Sequence, residues 1–184
     1  CDAVVKSPGI SRHGSAARAI VDAGVPLLGG TGLWMQGAPR ERVVAVTGTK
    51  GKSTTTAMIG HLLDRLGRHA LVCGNIGRPP WDPLVTEAGP EPDLWVVEVS
   101  SYQATDVAAS PPVVVVTSLH PDHLDWHGSV EQYYADKLSL ASQPGAVRTI
   151  AASSSPDLVA RATLLGPVVD WVAPDLGRRH SWHA

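Results

Sequence analysis

The stretch Val43-Val44-Ala45-Val46-Thr47-Gly48-Thr49-Lys50-Gly51-Lys52-Ser53-Thr54-Thr55 reads as three consecutive pieces. Val43 to Thr47 is a short apolar run, suited to a strand buried on both faces. Gly48 to Gly51 is a glycine-rich turn. From Lys52 the chain has helical composition as far as Leu66, and Gly67 closes it. Such a strand–loop–helix unit binds phosphate. Glycines let backbone N–H groups crowd around oxygens, and the helix N-terminus adds its positive dipole end. Lys52 would reach the outer phosphates, and Ser53 would offer a hydroxyl to Mg²⁺. Thr49, Lys50, Gly51, Thr54 and Thr55 complete the wrap. The common version of this loop has a glycine separated from Gly51-Lys52 by four residues; here that position is Val46, and the earlier glycine is Gly48. The bland alternative is an ordinary glycine-rich turn between strand and helix.

Outward from this unit the pattern repeats. Ala70–Val72, Leu94–Val99, Val113–Thr117, Thr149–Ala152 and Val168–Val172 read as further strands. Lys52–Leu66, Val130–Leu140 and Pro156–Leu165 read as helices, with a short one at Pro83–Ala88. Met58, Ile59, Leu62, Leu63 and Leu66 mark one apolar face of the first. Strands alternating with helices predict an α/β fold, a mostly parallel sheet with helices on both faces. Before it, Ala3–Val5 and Val25–Leu28 read as short strands around a helix at Ala16–Ala23, with a turn at Gly29-Gly30. The polar, proline-containing stretch Gly37–Glu41 marks the expected boundary. Residues 1–38 then form one part and residues 39–184 the phosphate-binding part.

Composition narrows the classes. Of 184 residues, 43% are hydrophobic, which suits a packed core. A net charge of −2 gives no bulk attraction to nucleic acid or anionic membrane. Two cysteines, Cys1 and Cys73, are too few for a disulfide framework, so a reducing cytoplasm is the expected location. No stretch is long and apolar enough to span a membrane. The chain opens at Cys1 beside the apolar run Ala3-Val4-Val5 and closes on Ser181-Trp182-His183-Ala184, which reads as a piece of a longer protein.

Three further places carry candidate chemistry. Glu98 ends an apolar strand, and ligands of open parallel sheets gather at the carboxyl ends of strands. It could hold Mg²⁺ or be an exposed strand-end carboxylate. His120-Pro121-Asp122-His123-Leu124-Asp125-Trp126-His127 follows another strand. It reads equally as a metal cluster or as a polar loop, and its position after the strand favours a site; it matches no strong zinc spacing. Lys137, on a helix, and Asn75, in Gly74-Asn75-Ile76-Gly77, are unremarkable by themselves.

Taken in order, these pieces resemble the Mur ligase family, ATP-dependent enzymes that add amino acids to the UDP-N-acetylmuramic acid precursor of peptidoglycan. The resemblance rests on Gly48–Thr54, Gly74–Gly77, Glu98-Val99-Ser100-Ser101-Tyr102-Gln103, Asp122–Asp125 and Ala135-Asp136-Lys137-Leu138, with Ser7-Pro8-Gly9-Ile10 near the start. It implies that residues 1–38 end an N-terminal UDP-substrate domain and that 39–184 form the central ATP-binding domain, with a C-terminal domain beyond. It implies that Lys52 and the loop amides bind ATP. Ser53 and Glu98 would be ligands of one Mg²⁺, and His123 of a second. Lys137 would be a carbamylated lysine whose added carboxylate helps place that second ion. Asn75, Ser100 and Gln103 would line the muramyl-substrate site.

The Ser-Ser-Tyr-Gln form after Glu98 resembles the branch that adds glutamate to UDP-N-acetylmuramoyl-L-alanine. Lys50, where most members carry Asn, and His123–Gly128 lean towards the L-glutamate subgroup, with the D-glutamate enzyme as the alternative. The folylpolyglutamate synthase branch is disfavoured because Ser53 directly follows Lys52. A non-catalytic nucleotide-binding module is the reading from another class. The resemblance further implies a monomer with small-molecule partners only. It also implies that residues 1–184 alone, lacking the domain that closes over ATP, are catalytically silent.

Overall fold

The computed structural model describes residues 1–86 and 89–174. The chain runs β1 (Val4–Lys6), α1 (Ser15–Asp22), β2 (Leu27–Gly29), α2 (Gly30–Gly37), a 3-10 turn (Arg40–Arg42), β3 (Val43–Thr47), α3 (Lys52–Arg65), β4 (Ala70–Gly74) and α4 (Pro83–Thr86). It continues with β5 (Leu94–Glu98), α5 (Ser101–Ala104), β6 (Val113–Val116), α6 (Leu124–His127), α7 (Val130–Ser142), β7 (Arg148–Ala152), α8 (Pro156–Val159), a 3-10 turn (Ala162–Leu164) and β8 (Val169–Val172). Strands β1 and β2 form a small parallel pair, and the other six form one sheet in the order β4-β5-β3-β6-β7-β8, every neighbour parallel.

The apolar strands are buried from both sides, as an all-parallel sheet requires. On one side Val43, Ala45, Val97, Val99, Val114 and Val116 share a core with Tyr133, Tyr134, Leu138, Leu140 and Ala141 of α7. On the other side α3 packs over β3, β4 and β5. Its contact face is not the apolar one expected from the sequence: Met58, Leu62 and Leu66 are exposed, while Thr56 and Gly60 are buried. The reason is closeness. A Cβ at Gly60 would collide with Val72 of β4, so the helix approaches the sheet on its smallest residues.

Three other expectations change. Gly29-Gly30 does not simply turn; it opens α2, whose weak intrinsic propensity is overridden by packing of Met35 and by Gly32 lying directly on the Asp106 backbone. The helix expected over Pro156–Leu165 breaks into α8 and a 3-10 turn. The helix at Pro83–Ala88 is described only to Thr86, and Ser181–Ala184 lie outside the described residues. Among the described residues no helix is long and apolar enough to cross a membrane.

The first segment is pinned to the sheet layer through one buried carboxylate. Lys6 Nζ donates to Asp106 Oδ2 at 2.8 Å and Arg12 Nε to Oδ1 at 2.6 Å, and Arg12 also donates to the Leu27 carbonyl. Between this segment and β4 lies a cleft of about 740 Å³, whose walls include Val5, Lys6, Trp34, Asn75, Trp81 and Gln103.

Candidate functional site

The order of the sheet brings four loops together at one edge. Strand β3 sits between β5 and β6, so the loop after it lies beside Glu98 and beside the turn that follows Val116. Asn75 arrives from the neighbouring β4, where Gly74 pairs with Glu98.

The phosphate loop is clasped from below by the end of β6. Thr117 Oγ1 donates to the Lys50 carbonyl at 2.6 Å, the Lys50 amide donates to Ser118 Oγ at 2.9 Å, and the Thr49 amide to the Ser118 carbonyl at 2.9 Å. Gly48 has φ 141°, and a Cβ there would strike Thr117 Oγ1. Gly51, at φ 85°, caps the start of α3. Thr49 Oγ1 shares a hydrogen bond with the buried Tyr133 hydroxyl at 2.9 Å, which ties the loop to α7.

Two lysines converge here. Lys52 Nζ folds back to donate to the Thr49 carbonyl at 3.2 Å. Burial lowers its pKa, as does Lys50, while Glu98 and Asp122 oppose the shift. Lys137, 2% exposed, donates to the Gly48 carbonyl at 2.9 Å. Burial, with the neighbouring Lys52 charge, pulls its ammonium down to about 7, against the pull of Asp122 and Glu98. The solvated surface lysine that its sequence position alone permitted is therefore absent.

Glu98 is also buried rather than an exposed strand end. Its Oε1 accepts from Asn75 Nδ2 at 2.9 Å; its Oε2 is buried and, among the described residues, has no hydrogen-bond partner. An uncompensated buried carboxylate oxygen is costly unless a cation meets it, so the donor set fits a hard metal ion.

A pocket of about 230 Å³ joins Thr49, Lys52, Asn75, Ser100, His123 and Lys137. His123 holds the left-handed conformation, at φ 50°, with its amide donating to Asp122 Oδ1 at 3.0 Å. Strain of this kind in a non-glycine residue collects at functional sites. Ser100 caps α5 in a reciprocal box: the Gln103 amide donates to Ser100 Oγ, and the Ser100 amide donates to Gln103 Oε1. Gln103 faces the large cleft instead, and Asn75 belongs to both spaces.

Not every candidate gathers here. Ser53 is exposed and Thr54 lies with Met58 and Leu62 on the outer side of α3, and neither lines the pocket. Thr55 serves the first helical turn, its amide donating to the Gly51 carbonyl. The Lys50 side chain is 74% exposed, with its Nζ 3.6 Å from Asp122. Sequence reasoning missed Thr117, Ser118 and Tyr133, which shape the loop; only their places after β6 and beside Lys137 in α7 hinted at it.

One further network lies behind the pocket. His127 Nδ1 donates to Asp136 Oδ2 at 2.6 Å, and His13 Nε2 donates to the same oxygen at 2.8 Å. Gln132 Nε2 donates to Asp136 Oδ1 at 2.8 Å. Burial alone would raise the Asp136 pKa, but the hydrogen bonds from His127, His13 and Gln132 together hold it below the usual range.

A phosphate loop with a buried carboxylate and a buried lysine beside it defines a nucleotide-binding class of site. The sequence profile of the Mur ligase middle domain matches residues 46–156, and the chain belongs to the Mur ligase family. It is 42% identical, over 99% of its length, to the UDP-N-acetylmuramoyl-L-alanine--L-glutamate ligase of Xylella fastidiosa (strain 9a5c), covering 39% of that protein. The same-named protein of Salinispora tropica is 42% identical over 95% of this chain and is covered over 37% of its own length. The chain thus spans about two fifths of the curated relatives it matches. Solved structures with the same fold include the MurF ligase from Thermotoga maritima in complex with ADP, with TM-score 0.59, 15% identity, and coverage of 95% of this chain and 48% of that one. The UDP-N-acetylmuramate:L-alanyl-gamma-D-glutamyl-meso-diaminopimelate ligase from Neisseria meningitides gives 0.58 and 21%, covering 91% and 57%.

Proposed function

We propose that the full-length protein joins glutamate to UDP-N-acetylmuramoyl-L-alanine with ATP, using L-glutamate in preference to D-glutamate. The substrates come from the names of its relatives. The observation that carries the chemistry is the meeting of Lys52 and Lys137 in one pocket that borders the large cleft at Asn75, which also holds the buried Glu98 carboxylate, one of whose oxygens has no partner among the described residues. Residues 1–38 are assigned to the end of the UDP-substrate domain and 39–184 to the ATP-binding domain.

The reaction has two steps. The substrate carboxylate attacks the γ-phosphate of ATP, ADP leaves, and an acyl phosphate forms. The glutamate amine then attacks the acyl carbon and phosphate departs with the bonding electrons. Lys52 and the amides from Gly51 to Thr54 at the helix start stabilise charge on the transferring phosphoryl group. Asn75 holds the Glu98 carboxylate in place, while Ser100 and Gln103 orient the muramyl substrate. The free oxygen of the buried Glu98 fits Mg²⁺: Glu98 and the exposed Ser53 would hold one ion, and His123 with a carbamylated Lys137 a second. Bound there, Mg²⁺ supplies neutralisation of crowded oxygens. Lys137 is suited to carbamylation because a pKa of about 7 leaves much of the amine unprotonated and nucleophilic towards CO₂.

The test offers the full-length protein ATP, UDP-N-acetylmuramoyl-L-alanine and each glutamate enantiomer separately. Amide product with L-glutamate is expected. Product only with D-glutamate would overturn the stereochemistry, and no product with either would end the ligase reading.

A further inference from the structure

The network behind the pocket joins groups that no part of the reaction has yet used. Asp136 is acceptor-only when ionised, so the ring nitrogens facing it carry their protons. Nδ1 of His127 is the ring nitrogen turned to Asp136, and Nε2 faces the other way. Ser101 Oγ lies 3.0 Å from Nε2, so the imidazole bridges the carboxylate and the hydroxyl. Ser101, His127 and Asp136 are 2%, 2% and 8% exposed, so this chain is sealed from solvent and its geometry is fixed.

What the chain touches matters more than the chain itself. Ser101 opens α5 and lines the 230 Å³ pocket with Lys52 and Lys137. The His127 ring lies under the aromatic stack, its centroid 4.4 Å from Trp126 and 5.6 Å from Tyr102. Tyr102 in turn lies 5.1 Å from the His123 ring. The His127 amide donates to the carbonyl of His123, whose own backbone is left-handed. Asp136 directly precedes Lys137 on α7. One buried carboxylate therefore fastens three walls of the pocket: the turn bearing His123, the turn bearing Ser100 and Ser101, and the helix bearing Lys137. The phosphate loop, the fourth wall, has its own clasp in Thr117 and Ser118, and it meets this network through Tyr133, whose ring lies 5.1 Å from that of His127, and through Lys137.

We infer that His127 and Asp136 are positioning residues for the phosphate pocket, acting through Ser101 and the His123 turn, while Thr117 and Ser118 keep the phosphate loop in its clasp. The inference rests on the ligase reading for its kinetic arm. It predicts an uneven effect. Loss of the chain should disturb catalysis and the metal-facing wall, and should spare nucleotide binding by the loop.

The experiment uses the full-length protein. His127→Phe keeps a ring under the aromatic stack and removes both hydrogen bonds. It should lower kcat about 10-fold or more, with the KM for ATP within about twofold, the scale of losing an outer-shell partner. Ser101→Ala should lower kcat about fivefold, and Ser101→Thr, which restores the hydroxyl, should recover most of it. Independently of turnover, Mn²⁺ is titrated in the presence of ADP and followed by electron paramagnetic resonance. His127→Phe should weaken Mn²⁺ binding about 10-fold while ADP alone binds as before. Should His127→Phe fail to fold, Ser101→Ala and Asp136→Asn decide the matter by the same two readouts. A folded His127→Phe or Ser101→Ala with unchanged kcat and unchanged Mn²⁺ binding would overturn the inference. So would equal losses of kcat and ADP affinity, which mark general destabilisation. If the wild-type protein forms no amide, the ligase reading fails and the Mn²⁺ arm still decides this one.

Discussion

The phosphate loop and the segment from His120 to Lys137 line the same pocket but are built on opposite plans. The loop is local: strand, glycines and helix start follow one another within Val43–Lys52, and its shape follows from glycine dihedrals. The later segment is assembled from a distance. Lys137 means nothing until α7 buries it against Gly48, and His127 means nothing until Ser101 and Asp136 flank it. Chemistry encoded in a local motif survives as a pattern of letters; chemistry encoded in packing does not.

The largest test of this contrast removes the charge of the local half. Lys52→Ala should cut kcat about 10³-fold, the cost of losing a donor to a transferring phosphoryl group, read by phosphate release from the full-length protein. Lys137→Ala attacks the assembled half and should cost about 10²-fold, with partial recovery when acetate or formate is added. Full activity in the plain variant would refute the carbamate role. Gly48→Ala tests whether the loop is shaped by backbone alone. At φ 141°, with Thr117 in the way, it should lose about 2–3 kcal/mol in urea unfolding. Tyr133→Phe cuts the one hydroxyl that links the loop to α7 and should cost about 1 kcal/mol in the same measurement. Lys50→Asn should do least: its side chain is solvated, so stability should stay within about 0.5 kcal/mol while the ratio of L- to D-glutamate use is read directly.

What could be read in advance follows the same division. The parallel sheet and its alternating helices were legible because β3, β5 and β6 are continuous apolar runs, which only a strand covered on both faces explains. The place of Glu98 was half legible, since a strand end locates it but cannot reveal that one oxygen has no partner among the described residues. The contact face of α3 was misread because periodicity weighs apolar bulk, whereas Gly60 is placed by how near Val72 comes. Helix α2 was hidden because its glycines argue against a helix until Asp106 lies across Gly32. The Asp136 network was hidden because His13, Ser101 and His127 are far apart along the chain, and each letter alone fits a polar loop.

The central place of β3 has a consequence for how the molecule comes to be. Ala45 pairs with Val97 on one side and Val114 on the other, so its neighbours are made long after it. Non-local parallel pairing is intrinsically slow, because loop closure is paid in entropy before any contact is gained. Although the phosphate loop is the most local motif in the chain, its clasp needs residues far along the sequence. Thr117 and Ser118, which clasp it, follow β6, and Tyr133 comes later still. In refolding, nucleotide binding should therefore trail the recovery of helix signal, and a nascent chain that has only just extruded Lys52 holds the letters of the site without its shape.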